Sequence, residues 1–270
     1  MAKKRASNAH RCGAPARVRR LLRAWYRSPL GKALQMVEKN QVEAVIPDLF
    51  GYHLLQVGDH ADADLCSASR IPHCVVMEQG TEVTPRHERT IYGQSEALPI
   101  AGDSLDVVVL PHALEFSATP HEVLREVDRA LIAEGHVILL GFNPWSLWML
   151  WRLATGWRAM VPWCGRFLTP ARVKDWLTLL GFDIVLTRTY FFRPPFQHAG
   201  LMRRLSFLER LGRRLWPFMG GGYMVVARKR VATLTPIRPR WRPRRRVVGS
   251  GGLVEPYQHR RRGRRRAVSR

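Results

Sequence analysis

Residues 104–144 leave the chain few ways to fold. They read SLDVVVLPHAL, then EFSA, then TPHEVLREVDRALIAEG and HVILLGFNP. Positions 107–110 and 137–140 are unbroken apolar runs of strand length, the composition of strands buried on both faces. Between them lies an amphipathic helix with its own punctuation. Thr119 stands at the N-cap, Pro120 at the first helical position and Glu122 where it closes a capping box. Val123, Leu124, Val127 and Leu131 make one face, and Gly135 is placed to stop the helix. Strand, covering helix and second buried strand form a crossover unit, and such units build parallel sheets with right-handed connections.

The remaining segments extend the same grammar. HLLQVG (53–58) and HCVVMEQG (73–80) are further strand-length runs, the second reaching an acid, Glu78. TPARVKDWLTLLGF repeats the helix signals with Thr169, Pro170, a Val173/Trp176/Leu177/Leu180 stripe and Gly181. FDIVLTRTYFF (182–192) and GYMVVARKR (222–230) read as closing strands, and 17–46 as helix broken by Pro29. The expected class is α/β, a mostly parallel sheet with helices on both faces. Beyond 231 the periodicity gives way to Arg and Pro, a composition that predicts disorder. The expected organisation is a basic arm with the start of a leading helix (1–35), one domain (36–230) and a basic tail (231–270).

Charge is segregated. Of a net +23, ten Lys or Arg and no acid lie in 1–32, and thirteen Arg with Glu255 as sole acid lie in 238–270. The segment between holds 21 basic and 20 acidic residues and is near neutral. Two basic arms on a neutral core suit an anionic polymer or surface, RNA or DNA first, with a solvated tail as the alternative. Cys12, Cys66, Cys74 and Cys164 show no metal-ligand spacing and read as thiols of a reducing compartment. No apolar segment is long enough to span a bilayer; the nearest, 145–163, is interrupted by Arg152 and Arg158. A cytoplasmic protein without metal is expected.

The stretch GQSEALPIAGDSLDVVVLPHALEFSATPHEVLREVDRALIAEGHVILLGFNP (93–144) resembles the middle of the class I S-adenosylmethionine-dependent methyltransferases, in particular the type 11 domain family. Glu96-Ala97-Leu98-Pro99-Ile100, Ser104-Leu105-Asp106 and His112-Ala113-Leu114-Glu115-Phe116 follow that family's order and spacing, and the ending GGGYMVVARKR is similar to its closing strand. The resemblance implies a Rossmann-like seven-stranded sheet in the order 3-2-1-4-5-7-6, with S-adenosyl-L-methionine as cofactor. It makes Gly58 the first turn glycine, with Asp59 beside the donor's positive charge. Glu78 is then the acid for the ribose hydroxyls. Gln94, Ser95 and Glu96 meet the adenine, and Leu110 and Pro111 line the methionine arm. No catalytic residue follows from it: His112 and Glu115 fall in a segment that shapes the loop in that family.

One turn departs from the pattern. Where the family repeats glycine, this chain has His60 and Asp62 after Gly58. Two functions therefore stand: a methyltransferase acting on an unidentified acceptor, or a non-catalytic relative that binds nucleic acid or another anionic surface through its arms. The five tryptophans of 145–163 (145, 148, 151, 157 and 163) either enclose an acceptor or pack a cover, and Met149 and Leu153 read as packing. The oligomeric state is not legible.

Overall fold

The computed structural model describes residues 15–58, 65, 67–78, 89–155, 161–196, 200 and 204–230. Asp59, His60, Asp62 and Trp157, the tail from 231 and the side chain of Leu153 lie outside them. The chain divides into Met1–Ala232 and Thr233–Arg270, and everything below concerns the first unit.

Seven strands form one sheet in the order β3-β2-β1-β4-β5-β7-β6. They are β1 (His53–Val57), β2 (His73–Glu78), β3 (Thr90–Tyr92), β4 (Leu105–Pro111), β5 (Leu131–Phe142), β6 (Phe182–Tyr190) and β7 (Gly222–Lys229). The first five are parallel, and β7 runs antiparallel to both β5 and β6. The order is the one the resemblance implies. Only β3 has no counterpart among the apolar runs, because three half-buried residues carry too short a pattern to read.

Alternation along the strands sends side chains to two cores. Leu54, Val107, Val109, Ile138 and Leu140 face one side, where α1 (Pro15–Tyr26) and α2 (Pro29–Glu43) supply Tyr26, Leu30, Leu34 and Val42. Leu55, Val108, Leu110, Val137 and Leu139 face the other, against Val123, Leu124 and Val127 of α4 (Pro120–Ala130) and Val173 and Leu177 of α6 (Pro170–Leu179). Two short helices complete the core region, α3 (Ala113–Phe116) and α5 (Leu147–Thr155). Position 35 falls within α2, whose buried face belongs to the sheet's own core.

The helix signals fare unequally. Pro29 does begin a new helix, with the Ser28 hydroxyl accepting from Gly31 N–H. Thr169 caps α6 by accepting from Arg172 N–H, and Gly181 leaves it at φ +88°. Thr119 instead donates to the Glu122 carboxylate at 2.6 Å, so the capping box closes side chain to side chain. Gly135 is not the stop of α4. The helix ends at Ala130, and Gly135 lies inside β5. Pairing of Leu131 with Leu105 starts the ladder there, and ladder hydrogen bonds replace a further helical turn. Cys164 is disulfide-bonded, while the half-buried Cys74 places its Sγ 3.7 Å from Ile71 O. The reading of four thiols is corrected at Cys164, since linear spacing cannot show which sulfurs meet in space.

Gly58 leaves β1 at φ +98°, and among the described residues a Cβ there would meet Pro111 O first, at 3.9 Å. The positive φ is what asks for glycine at this position. Gly58→Ala is expected to cost about 1–2 kcal/mol of stability, measured by urea unfolding.

Candidate cofactor and acceptor site

The carboxyl ends of β1 to β4 meet at one place, on either side of the point where strand order reverses between β1 and β4. Open α/β sheets bind ligands in that crevice. Gly58 N–H donates to Met77 O at 2.9 Å, and Gly93 N–H donates to Glu78 O at 3.1 Å. With the Gly58 backbone close to Pro111 O, the ends of four strands come together in one small region.

Glu78 ends β2 with 4% of its surface exposed. Its Oε2 lies 3.3 Å from Nη2 of Arg23 on α1, while Oε1 is buried without a hydrogen bond. A buried carboxylate oxygen left open is costly unless a donor arrives, and a ribose hydroxyl is such a donor. Gln56 adds a second open acceptor nearby in sequence. Its Nε2 donates to Gly58 O at 3.1 Å, and its Oε1 is buried without a partner. The two open buried acceptors, on Gln56 and Glu78, fit the hydroxyl donors at the nucleoside end of S-adenosylmethionine.

Gln94 is exposed beyond β3. Ser95 is buried and donates to Glu96 Oε2 at 3.0 Å, while Ser117 donates to Glu96 Oε1 at 2.6 Å. Glu96 thus ties the loop after β3 to the end of α3. Glu126 and Arg129 of α4 hold the next residues: Leu98 N–H donates to Glu126, and Arg129 donates to the carbonyls of Leu98 and Ile100. The Leu-Pro motif is therefore clamped from beneath, which fixes where Gln94 and Ser95 stand. Leu110 and Pro111 are buried at the end of β4.

Beside Pro111 the chain turns through His112 in the left-handed region, φ 52°. His112 is the centre of a buried polar cluster. Its Nε2 lies 2.8 Å from Glu38 Oε1, and its Nδ1 lies 3.4 Å from Glu115 Oε1. The hydroxyls of Tyr26 and Tyr190 donate to Glu38 at 3.3 and 3.0 Å. Phe142 N–H donates to Glu115 Oε1 at 2.7 Å. Burial alone would push the imidazole down. The charge of Glu38 and hydrogen bonds to Glu115 and Glu38 outweigh it, raising the pKa to about 10. Burial first, then the nearby carboxylates, hold the phenols of Tyr26 and Tyr190 well above their ordinary range. His112 is therefore an imidazolium at neutral pH, unable to accept a proton, and joins α1 and α2 to the ends of β4 and β6.

Sequence reasoning found His112 and Glu115 but missed Glu38, Tyr26, Tyr190 and Arg23. One signal was present: Glu38 sits in the Leu30/Leu34/Val42 stripe of α2, an acid at a core position. The tryptophans resolve mainly as packing. Trp148 and Trp163 are buried, their ring centroids 5.3 Å apart, and Trp148 also meets Phe191 edge-on. Trp151 packs on Phe196, and Trp145 is exposed. Among the described residues no cluster could hold a metal ion, and no helix is long and apolar enough to cross a membrane.

Comparison with known proteins agrees with this geometry. A methyltransferase-domain family model matches residues 74–139, from β2 through most of β5. The uncharacterized protein YafS of Escherichia coli K12 is 32% identical over 225 residues, 82% of this chain and 88% of that protein. Among solved structures, a SAM-dependent methyltransferase of Thermotoga maritima superposes with TM-score 0.54 at 15% identity, covering 73% of this chain and 89% of that one. One from Archaeoglobus fulgidus gives TM-score 0.51 at 18% identity, covering 72% and 94%. At such identities the superpositions speak for the fold alone. Sheet order, motif spacing and family match together place this chain in the class I S-adenosylmethionine-dependent methyltransferase family, whose cofactor is S-adenosylmethionine.

Proposed function

We propose that the protein is an active methyltransferase that binds S-adenosylmethionine at the carboxyl ends of β1 to β4. The observation that carries this reading is Glu78, buried at the end of β2 with one oxygen open, next to the strand end at Gly58. Glu78 would hold the ribose, Gln94, Ser95 and Glu96 the adenine edge, and Gly58, Asp59, Leu110 and Pro111 the remainder. The cofactor, when bound, supplies a methyl group already activated by its sulfonium. The protein's work is then alignment and exclusion of water. His112 keeps its proton and so serves as a positioning residue, fixing the loop after β4 against α2. The buried aromatic rings of Phe142, Trp148 and Trp163 keep water from that side. Calorimetric titration of the full chain with S-adenosylmethionine and its demethylated product tests the reading. One binding event per chain is expected for each. No heat and no thermal shift at millimolar cofactor would overturn it.

A further inference from the structure

The connection from β6 to β7 lies at the same edge of the sheet as the cofactor crevice, because Phe142 and Tyr190, which end β5 and β6, both pair with Gly222. It carries α7 (Phe207–Leu215) and a 3-10 turn, Pro217–Met219. The inner side of α7 is pinned. Gly212 is buried so close to Phe192 that a Cβ would fall 2.5 Å from its ring, and Glu209 binds Arg193 at 3.1 Å. That leaves an unusual outer side. Phe207, Leu211 and Leu215, spaced four apart, are 54%, 40% and 57% exposed. Phe218 and Trp145 follow at 67% and 71%. Asn143 joins these last two, donating to Phe218 O at 2.7 Å and accepting from Trp145 N–H at 3.0 Å. The adjoining strip of the helix holds the exposed Arg210, Arg213 and Arg214. Residues 191–221 contain six Arg and one acid, the Glu209 already paired.

We propose that α7 and the turn after it seat this edge of the protein on an anionic lipid surface. An apolar stripe of Phe, Leu and Trp beside a row of Arg is the pattern of a helix lying in the plane of a membrane interface. The occupant follows from charge and from side-chain chemistry. Anionic head groups complement the Arg row, while Leu211 and Leu215 have nothing to offer a phosphate backbone and gain by entering an acyl layer. The chain's own tail, with thirteen Arg after 237, is of like charge to the row and a poor cover for it.

The test uses the full chain at physiological salt, by co-sedimentation with vesicles of equal phosphatidylglycerol and phosphatidylcholine and with vesicles of phosphatidylcholine alone. It involves no cofactor, so its failure is separate from failure of the methyltransferase reading. Binding is expected to the anionic vesicles and at least tenfold weaker to the neutral ones. Replacing Phe207, Leu211, Leu215 and Phe218 together by Ser should reduce anionic-vesicle binding at least tenfold although every charge, including both basic arms, is retained. Leu179→Ser, an exposed apolar residue on α6, should change nothing. Circular dichroism checks that both variants remain folded. Equal binding by the fourfold variant would assign attraction to charge alone and overturn the proposal. Binding to duplex DNA or RNA without binding to vesicles would also overturn it.

Discussion

Glu38→Ala is expected to lower the free energy of unfolding by about 3–5 kcal/mol, read from urea denaturation at neutral pH. The substitution removes the acceptor of the Tyr26 and Tyr190 hydroxyls and the nearest counter-charge of His112 in one step. An imidazolium left buried without it, and phenols that lose their bonds to Glu38, carry costs that a merely smaller side chain would not. A pH series separates this from simple cavity formation. The folded pKa of His112 is about 10 against an ordinary 6.5, so its stabilisation is fully present below about pH 6.5 and disappears as pH rises toward 10. The natural chain should therefore lose stability across that window. Glu38→Ala should lose much less over the same range. A natural chain with flat stability from pH 6.5 to 10, or a variant as stable as the natural protein, would show that the cluster contributes little.

Glu78→Ala is expected to weaken S-adenosylmethionine binding by about 1.5–3 kcal/mol, roughly ten- to 150-fold, the worth of hydrogen bonds to a charged acceptor. Glu78 Oε1 has no bond within the protein, and only Oε2 is engaged, by Arg23. Glu78→Gln preserves shape and one acceptor and should lose less. Titration of both variants by calorimetry, with thermal melts to check folding, reads the difference directly. If both bind as tightly as the natural chain, Glu78 serves only to anchor Arg23, and the ribose lies elsewhere.

Leucine and valine runs of strand length, and helices announced by Thr-Pro and closed by Gly, are local signals, and physics acts on them locally. That is why β1, β2, β4, β5, β6 and β7, the break at Pro29 and the caps of α6 were legible from sequence, and with them the α/β class. The place of Gly58, Glu78 and Pro111 at strand ends was legible for the same reason, whereas Gln94 was placed by the family resemblance alone. β3 was not, because three residues are too few for a period to show. The end of α4 was misread because Leu131 pairs with Leu105, a contact made 26 positions away that no helix signal contains.

The interior of the site belonged to tertiary structure alone. Glu38 and His112 are 74 residues apart, Glu38 and Tyr190 152, and Arg23 and Glu78 55. Apart from Glu38, an acid at a core position, none of these residues is unusual in its own segment. Glu38 stands in a leucine stripe, Tyr26 at a helix end and Tyr190 at a strand end. Their roles arise when the leading helices close over the sheet, where exclusion of water turns ordinary carboxylates into partners strong enough to hold a proton on His112. The sequence by itself determined which segments become strands and helices, hence the sheet and its ligand-binding edge. Folding decided which charges would be buried together, because desolvation and ion pairing depend on distances that chain order does not set.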